Sequence, residues 1–219
     1  MLAVGGRTLR VSVREGTPGW PPLLLCNGIG ASLELFQPFV DALDPRRPVI
    51  RFDIPGVGGS PAPVVPYHLA TLPSLLAGLL DQLGYAQADV LGISWGGGLA
   101  QQFALSRPDQ VRRLVLVTTG TGALMVPAHP RILVRMLSPL RHRDPGYAAR
   151  VAAELYGGSA RKDPAVARDP RIMHRLIPRS RLHVYRGGHL ELAADAGRLA
   201  VAVEAFLDRD LAVGPGSQP

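Results

Sequence analysis

Cysteine, lysine and long apolar runs are scarce in this 219-residue chain, and each scarcity excludes something. A single cysteine, Cys26, rules out an internal disulfide and fits a reducing compartment. No apolar run approaches the ~20 residues that span a bilayer, so no transmembrane segment is expected. The opening MLAVGGRTLRVSV lacks the basic region and apolar stretch of a secretory signal, which makes the cytoplasm the expected location. No His/Cys/acid cluster has metal-ligand spacing, and no G-x-x-x-x-G-K loop is present. Neither metal nor other cofactor is therefore expected. Lysine occurs only at Lys162 among 24 basic residues; the arginines are spread along the chain. The net charge of +7, including the clusters RHR at 141–143 and RIMHRLIPRSR at 171–181, reads as solvated helix faces. Without a nucleic-acid-binding module beside it, no nucleic-acid partner is expected.

What is present reads as one globular domain over residues 1–211, followed by a disordered tail over 212–219. Hydrophobic residues make up 47% of the chain, the ordinary share for a soluble fold. Short apolar runs alternate with helix-period stretches, the pattern of a mostly parallel sheet flanked by helices in an α/β class. LAVGGRTLRVSV predicts two short strands around a Gly-Gly turn, PLLLCNG at 22–28 a buried strand, and FQPFVDAL at 36–43 a short helix. PVIRFDIPG at 48–56 is a strand running into the loop GVGGSPAP. A helix follows over residues 69–84 with Gly84 as its cap, then strand ADVLGIS, helix WGGGLAQQFALSRPDQ and strand VRRLVLVTTG. Residues 121–170, rich in Pro, Arg and Gly, form the candidate for a reduced lid or an insertion. RIMHRLIP predicts a short helix, SRLHVYRGG a last strand and ELAADAGRLAVAVEAFLDRDL a last helix.

The segment VLGISWGGGL, residues 90–99, carries the chemistry. Gly92-Ile93-Ser94-Trp95-Gly96 fits G-x-S-x-G with a strand before it and a helix after, the context that gives the pattern meaning. Ser94 at such a corner projects its hydroxyl above the sheet as a nucleophile, and the helix N-terminus supplies donors where an oxyanion forms. His189 is the candidate base: it follows HVYRGG, precedes the last helix and comes last in chain order. His174 and His183 fall inside the predicted helix and strand, while His68, His129 and His142 sit in connections with no partner suggested. The oxyanion donors are expected at Trp95 N–H, directly after the nucleophile, and at Ile29 N–H in the Asn27-Gly28-Ile29-Gly30 turn.

With these residues in place, the chain resembles the α/β-hydrolase family, and within it the intracellular medium-chain-length poly(3-hydroxyalkanoate) depolymerases. The resemblance is carried by LLLCNGIGASLELFQPFVDAL, VIRFDIPGVGGSPAP, LGISWGGGLAQQFA, RRLVLVTTGTGALMVP and RLHVYRGGHLELA. It implies the α/β-hydrolase fold and a serine hydrolase that cleaves carboxylic esters of a hydrophobic storage polyester or medium-chain ester, working at granule surfaces.

The chain departs from the family at the third triad member. The resemblance calls for an aspartate after a further strand between lid and histidine, yet YGGSARKDPAVARDP passes directly into RIMHRLIPRSRLHVY. That acid, its strand and much of the lid are missing, and the alternative position after RLVLV holds Thr118 and Thr119. Asp169, and after it Asp163, are the nearest substitutes. Losing a triad aspartate lowers kcat by about 3 × 10⁴. Losing a strand also shifts His189 by one strand spacing, ~4.8 Å. The readings open at this point are a depolymerase-like esterase, a generic carboxylesterase or C–C-bond hydrolase on the same fold, and a shortened relative, either binding hydrophobic granules without catalysis or without a function of its own.

Overall fold

The computed structural model describes residues 1–65, 67–120, 168–184 and 195–209, together with 134, 138, 140, 144, 146 and 147. The predicted lid over 121–170 and the tail over 212–219 lie almost wholly outside the described residues. The chain divides into two compact units, Met1–Thr119 with Asp195–Pro219, and Gly120–Ala194.

The first unit is built on strands β1 (Leu2–Val4), β2 (Arg7–Leu9), β3 (Val11–Arg14), β4 (Leu23–Cys26), β5 (Val49–Phe52), β6 (Ala88–Ile93) and β7 (Val111–Val117). Its helices are α1 (Gln37–Ala42), α2 (Leu72–Gln82), α3 (Trp95–Ser106) and α5 (Ala196–Leu207). β1 and β2 form a separate antiparallel hairpin. Gly5 and Gly6 turn it with φ of +54° and +74°, the paired positive φ that a two-residue hairpin turn demands. The main sheet runs in the order β3-β5-β4-β6-β7; β3 is antiparallel and the other four strands are parallel.

β4 and β6 are buried along their whole length, as the centre of a parallel sheet covered on both faces requires. α2 buries Leu72, Leu75, Leu76, Leu79 and Leu80, the one-sided i, i+3, i+4, i+7 stripe, and Gly84 ends it in the left-handed region at φ +77°. Each of these leucines contributes about 1.5–3 kcal/mol when fully withdrawn from water. α5 buries Ala200, Val203 and Leu207. Both predicted helices at 36–43 and 69–84 open with a short 3₁₀ turn, Leu33–Phe36 and Leu69–Thr71, before α1 and α2 begin at the residue preceding Pro38 and Pro73.

A buried ionic cluster lies at the amino ends of the strands. Asp89, fully buried at the second position of β6, accepts from Arg112 Nε at 2.8 Å and lies 3.7 Å from Arg47 Nη1, itself fully buried. Arg47 also pairs with Asp208, and Arg112 donates to the Leu207 carbonyl at 2.8 Å, so the cluster ties the end of α5 to the sheet. Burial pushes the Asp89 carboxyl up, against the opposing pull of Arg112 and Arg47.

In the second unit, α4 (Arg168–Leu176) covers most of the predicted helix at 171–178, starting three residues earlier with Pro170 in its first turn and ending two residues short, ahead of Pro178. Asp169 therefore stands in a helical first turn, where a connection was expected. The predicted last strand is not seen in its described part. Arg181–Val184 carries no ladder bonds and is exposed, Val184 at 75%. Leu182 and Val184 alone make a thin apolar face between Arg181 and His183, too little to hold a strand against water. His183 accordingly lies in irregular chain; residues 185–188 fall outside the described part.

Candidate active site

Chain order places the switch of the sheet between β4 and β6. From β4 the chain crosses to β5 on one side, then returns to β6 on the other, so the loops leaving the two strands diverge. Open parallel sheets bind ligands at this crevice beyond the carboxyl ends of the strands. Ser94 leaves β6 here and the Asn27–Gly30 turn leaves β4.

Ser94 holds φ 55° and ψ −121°, a conformation that costs a non-glycine residue about 1–3 kcal/mol and persists only where the surroundings enforce it. The enforcement is visible. Its N–H donates to the Val117 carbonyl of β7 at 3.0 Å; its carbonyl accepts from Gly97 N–H at 3.0 Å and from Thr119 Oγ1 at 2.7 Å. The glycines around it stand where no side chain fits. A Cβ on Gly92 would lie 2.3 Å from the Gly96 carbonyl oxygen; one on Gly96 would lie 2.1 Å from the Cys26 oxygen and 2.4 Å from that of Asn27. The strand–Ser–helix corner is thus pressed directly onto the end of β4.

On the other side, a Cβ built on Gly28 would stand 3.7 Å from the Ser94 Cβ, so the turn after β4 abuts the serine. Asn27 shapes this turn: its Nδ2 donates to the Ser32 carbonyl at 2.5 Å and its Oδ1 accepts from Gly28 N–H at 3.0 Å. Gly30 reverses the chain at φ +69°. With Gly28 N–H committed to Asn27, Ile29 presents the next N–H, and among the described residues no acceptor is bonded to it. Trp95 begins α3, where an N–H has no intrahelical acceptor. Of the four residues singled out from sequence, Ser94 and Trp95 are consecutive at the strand–helix corner, and Ile29 follows Gly28 in the turn that abuts Ser94. His189 lies outside the described residues.

Asp53 is a site-organising residue that the sequence reading missed. Fully buried at the end of β5, it accepts from Leu33 N–H at 2.7 Å and Gly59 N–H at 2.8 Å, with Arg10 Nη1 at 3.4 Å. It thereby fixes both the segment following the Asn27 turn and the glycine loop at 56–59. Gly58, at φ +54°, leaves the room that its carboxylate occupies. An aspartate closing an apolar strand and entering a glycine-rich loop was the available signal. Arg10 pairs in turn with Glu34, whose carboxyl the guanidinium holds down to about 2.

Around this edge the loops after β4 and β5 expose apolar side chains, Ile29 at 48%, Val64 at 101% and Val65 at 67%. A groove of about 360 Å³ lies at the β1–β2 turn against Pro55, Pro61 and Pro63; Ser94 does not line it. Among the described residues no group of His, Cys, Asp and Glu could hold a metal ion, and no helix is long and apolar enough to cross a membrane.

The alpha/beta hydrolase fold family matches residues 21–156. A poly(3-hydroxyalkanoate) depolymerase of Ectopseudomonas oleovorans is 50% identical over 166 residues, which are 76% of this chain and 59% of that one. A 2-hydroxy-6-oxononadienedioate/2-hydroxy-6-oxononatrienedioate hydrolase of Paraburkholderia phymatum is 37% identical over 148 residues, 64% of this chain and 51% of that one. The aligned part thus spans about half to three-fifths of the length of these relatives. Among solved structures, the enol-lactonase of Burkholderia xenovorans LB400 superposes with a TM-score of 0.74 at 20% identity, over 95% of this chain and 99% of the other. At that identity the superposition speaks for the fold alone.

Proposed function

Because the chain belongs to the alpha/beta hydrolase family, we propose that it is a serine hydrolase of carboxylic esters acting on medium-chain 3-hydroxyalkanoate polyester or its oligomers. The observation that carries this reading is the enforced backbone of Ser94 at the sheet's switch point, with α3 starting directly after it and the turn at Gly28 abutting it. Strain of this kind is tolerated where it positions a reacting group.

In the proposed reaction, Ser94 Oγ attacks the ester carbonyl while His189 takes its proton. The Ile29 and Trp95 N–H groups receive the oxyanion, and preorganised donors of this type are worth about 10²–10³ in kcat each. His189 then protonates the departing alkoxide, and water, deprotonated by His189, releases the acid and regenerates the serine. Asp169 is the candidate to orient His189. The substrate class is supported by the 50% identity to the depolymerase. A granule surface in the cytoplasm is the matching location.

A second reading has its own observation. Between residues 158 and 182 no apolar segment ends in an aspartate, which favours a relative that holds polyester without cleaving it. Hydrolysis of p-nitrophenyl octanoate and of 3-hydroxyoctanoate oligomers separates the two. The hydrolase reading expects turnover at least about a hundredfold above that of Ser94→Ala. Equal rates, with both proteins still sedimenting with polyester granules, establish the binding protein instead. Turnover of the soluble ester alone marks a generic carboxylesterase.

A further inference from the structure

The hydroxyl of Thr119 donates to a peptide unit that the proposed reaction uses. The Ser94 carbonyl and the Trp95 N–H are two ends of one planar trans unit, so they point in opposite directions and cannot be oriented separately. Two donors hold the carbonyl end: Gly97 N–H at 3.0 Å, from within α3, and Thr119 Oγ1 at 2.7 Å, from the chain beyond β7. The first bond moves with the helix. The second is the tie that references this peptide plane to the sheet.

Two further features serve that tie. Gly97 has no Cβ, and one placed there would lie 2.5 Å from both Thr119 Cβ and Oγ1 and 2.6 Å from Cγ2, so the threonine seats directly on the bare Cα of the helix. Thr118 holds φ +45°, a backbone state that a β-branched residue rarely adopts. The chain turns sharply there as it leaves β7 and delivers Thr119 onto the Ser94 carbonyl.

We infer that Thr119 is a positioning residue for the oxyanion. Its hydroxyl, bonded to the Ser94 carbonyl, aims the Trp95 N–H at the developing charge and, by polarising the shared peptide unit, makes that N–H a stronger donor. This rests on the reading that Trp95 N–H receives the oxyanion. Because the hydroxyl acts through the peptide rather than on the substrate, its removal costs less than losing an oxyanion donor outright.

The test compares Thr119→Val, which keeps the shape and removes the hydroxyl, with Thr119→Ser, which restores it. Thr119→Val should lower kcat on p-nitrophenyl octanoate by about tenfold with KM unchanged, short of the 10²–10³ of a deleted donor. Thr119→Ser should return kcat to within about threefold of the parent. In ¹⁵N-labelled protein the Trp95 amide proton should move upfield in Thr119→Val and return in Thr119→Ser. If Ser94→Ala is inactive while Thr119→Val keeps the parent kcat, or if Thr119→Ser falls as far as Thr119→Val, the inference is overturned. If the parent is no faster than Ser94→Ala, the hydrolase reading fails by itself. In that case the role towards an oxyanion falls with it, and the Trp95 resonance reads the tie alone: unmoved in Thr119→Val, it overturns the hold of Thr119 on the peptide as well; moved, it upholds that hold.

Discussion

Three consecutive glycines, Gly96, Gly97 and Gly98, open α3, and replacing each by alanine separates helix propensity from packing. Propensity alone makes all three changes favourable by about 0.8–1 kcal/mol. The surroundings divide them. Nothing lies within 4 Å of a Cβ on Gly98, so Gly98→Ala keeps the full gain, a rise in Tm of about 2–4 °C for a chain of this size. A Cβ on Gly97 meets the side chain of Thr119, which must give way and surrender its bond to Ser94; the gain is cancelled and activity falls. A Cβ on Gly96 lies 2.1 Å from one backbone oxygen of the β4 end and 2.4 Å from the next. Backbone in a central strand cannot yield, so the start of α3 moves away by about 1 Å to reach ordinary contact. Overpacking of this severity costs about 3 kcal/mol, leaving a net loss near 2 kcal/mol and a Tm lower by about 4–8 °C. The same ~1 Å shift of the serine corner costs about 10²-fold in turnover. Thermal unfolding and ester hydrolysis of the three variants should rank them 98, 97, 96 on both scales. Equal gains at all three positions would show that the helix start is not wedged on β4, and would refute the packing on which the site's geometry depends.

Further outcomes follow from the rest of the fold. Asp89→Ala removes the carboxylate that Arg112 and the fully buried Arg47 share, leaving Arg47 with Asp208 and Glu204, and should cost about 3 kcal/mol in urea unfolding, with faster amide exchange in α5; pairing it with Arg47→Met should recover part of the loss. Glu34, held at about 2 in the folded chain against 4.5 ordinarily, stabilises at pH above 4.5, and the contribution fades as pH falls towards 2. The urea midpoint of the parent should therefore exceed that of Glu34→Gln near pH 6 and converge with it near pH 2. Burial pushes the Cys26 thiol up to about 12, so an aromatic disulfide reagent at pH 8 should leave the native thiol unmodified and titrate one thiol only after unfolding in guanidinium.

Much of the first unit was legible in the sequence because its signals are local. The Gly5-Gly6 turn, the leucine stripe of α2 with its Gly84 cap, and the strand–Ser–helix corner each declare themselves within a dozen residues. Features set by distant partners did not. Asp53 and Asp89 look alike in the sequence, each an aspartate at one end of an apolar strand. Only the fold shows that one gathers two loops at the carboxyl edge while the other meets two arginines at the opposite edge. Thr119 was read as the wrong residue type for a triad acid; its bond to Ser94 spans 25 positions and has no sequence signature. The described part of the expected last strand, Arg181–Val184, shows the converse case. Alternating Leu182 and Val184 imitate a strand pattern, yet with both exposed there is no apolar face to drive pairing.

The central claim is that Ser94 is a live nucleophile, and covalent capture tests it without assuming a substrate. The purified chain is incubated with an alkyl fluorophosphonate, digested, and mapped by mass spectrometry beside Ser94→Ala. One phosphonate per chain is expected, on the peptide containing Ser94, and none on the variant. An unlabelled parent, or a label carried equally by both proteins, would contradict it.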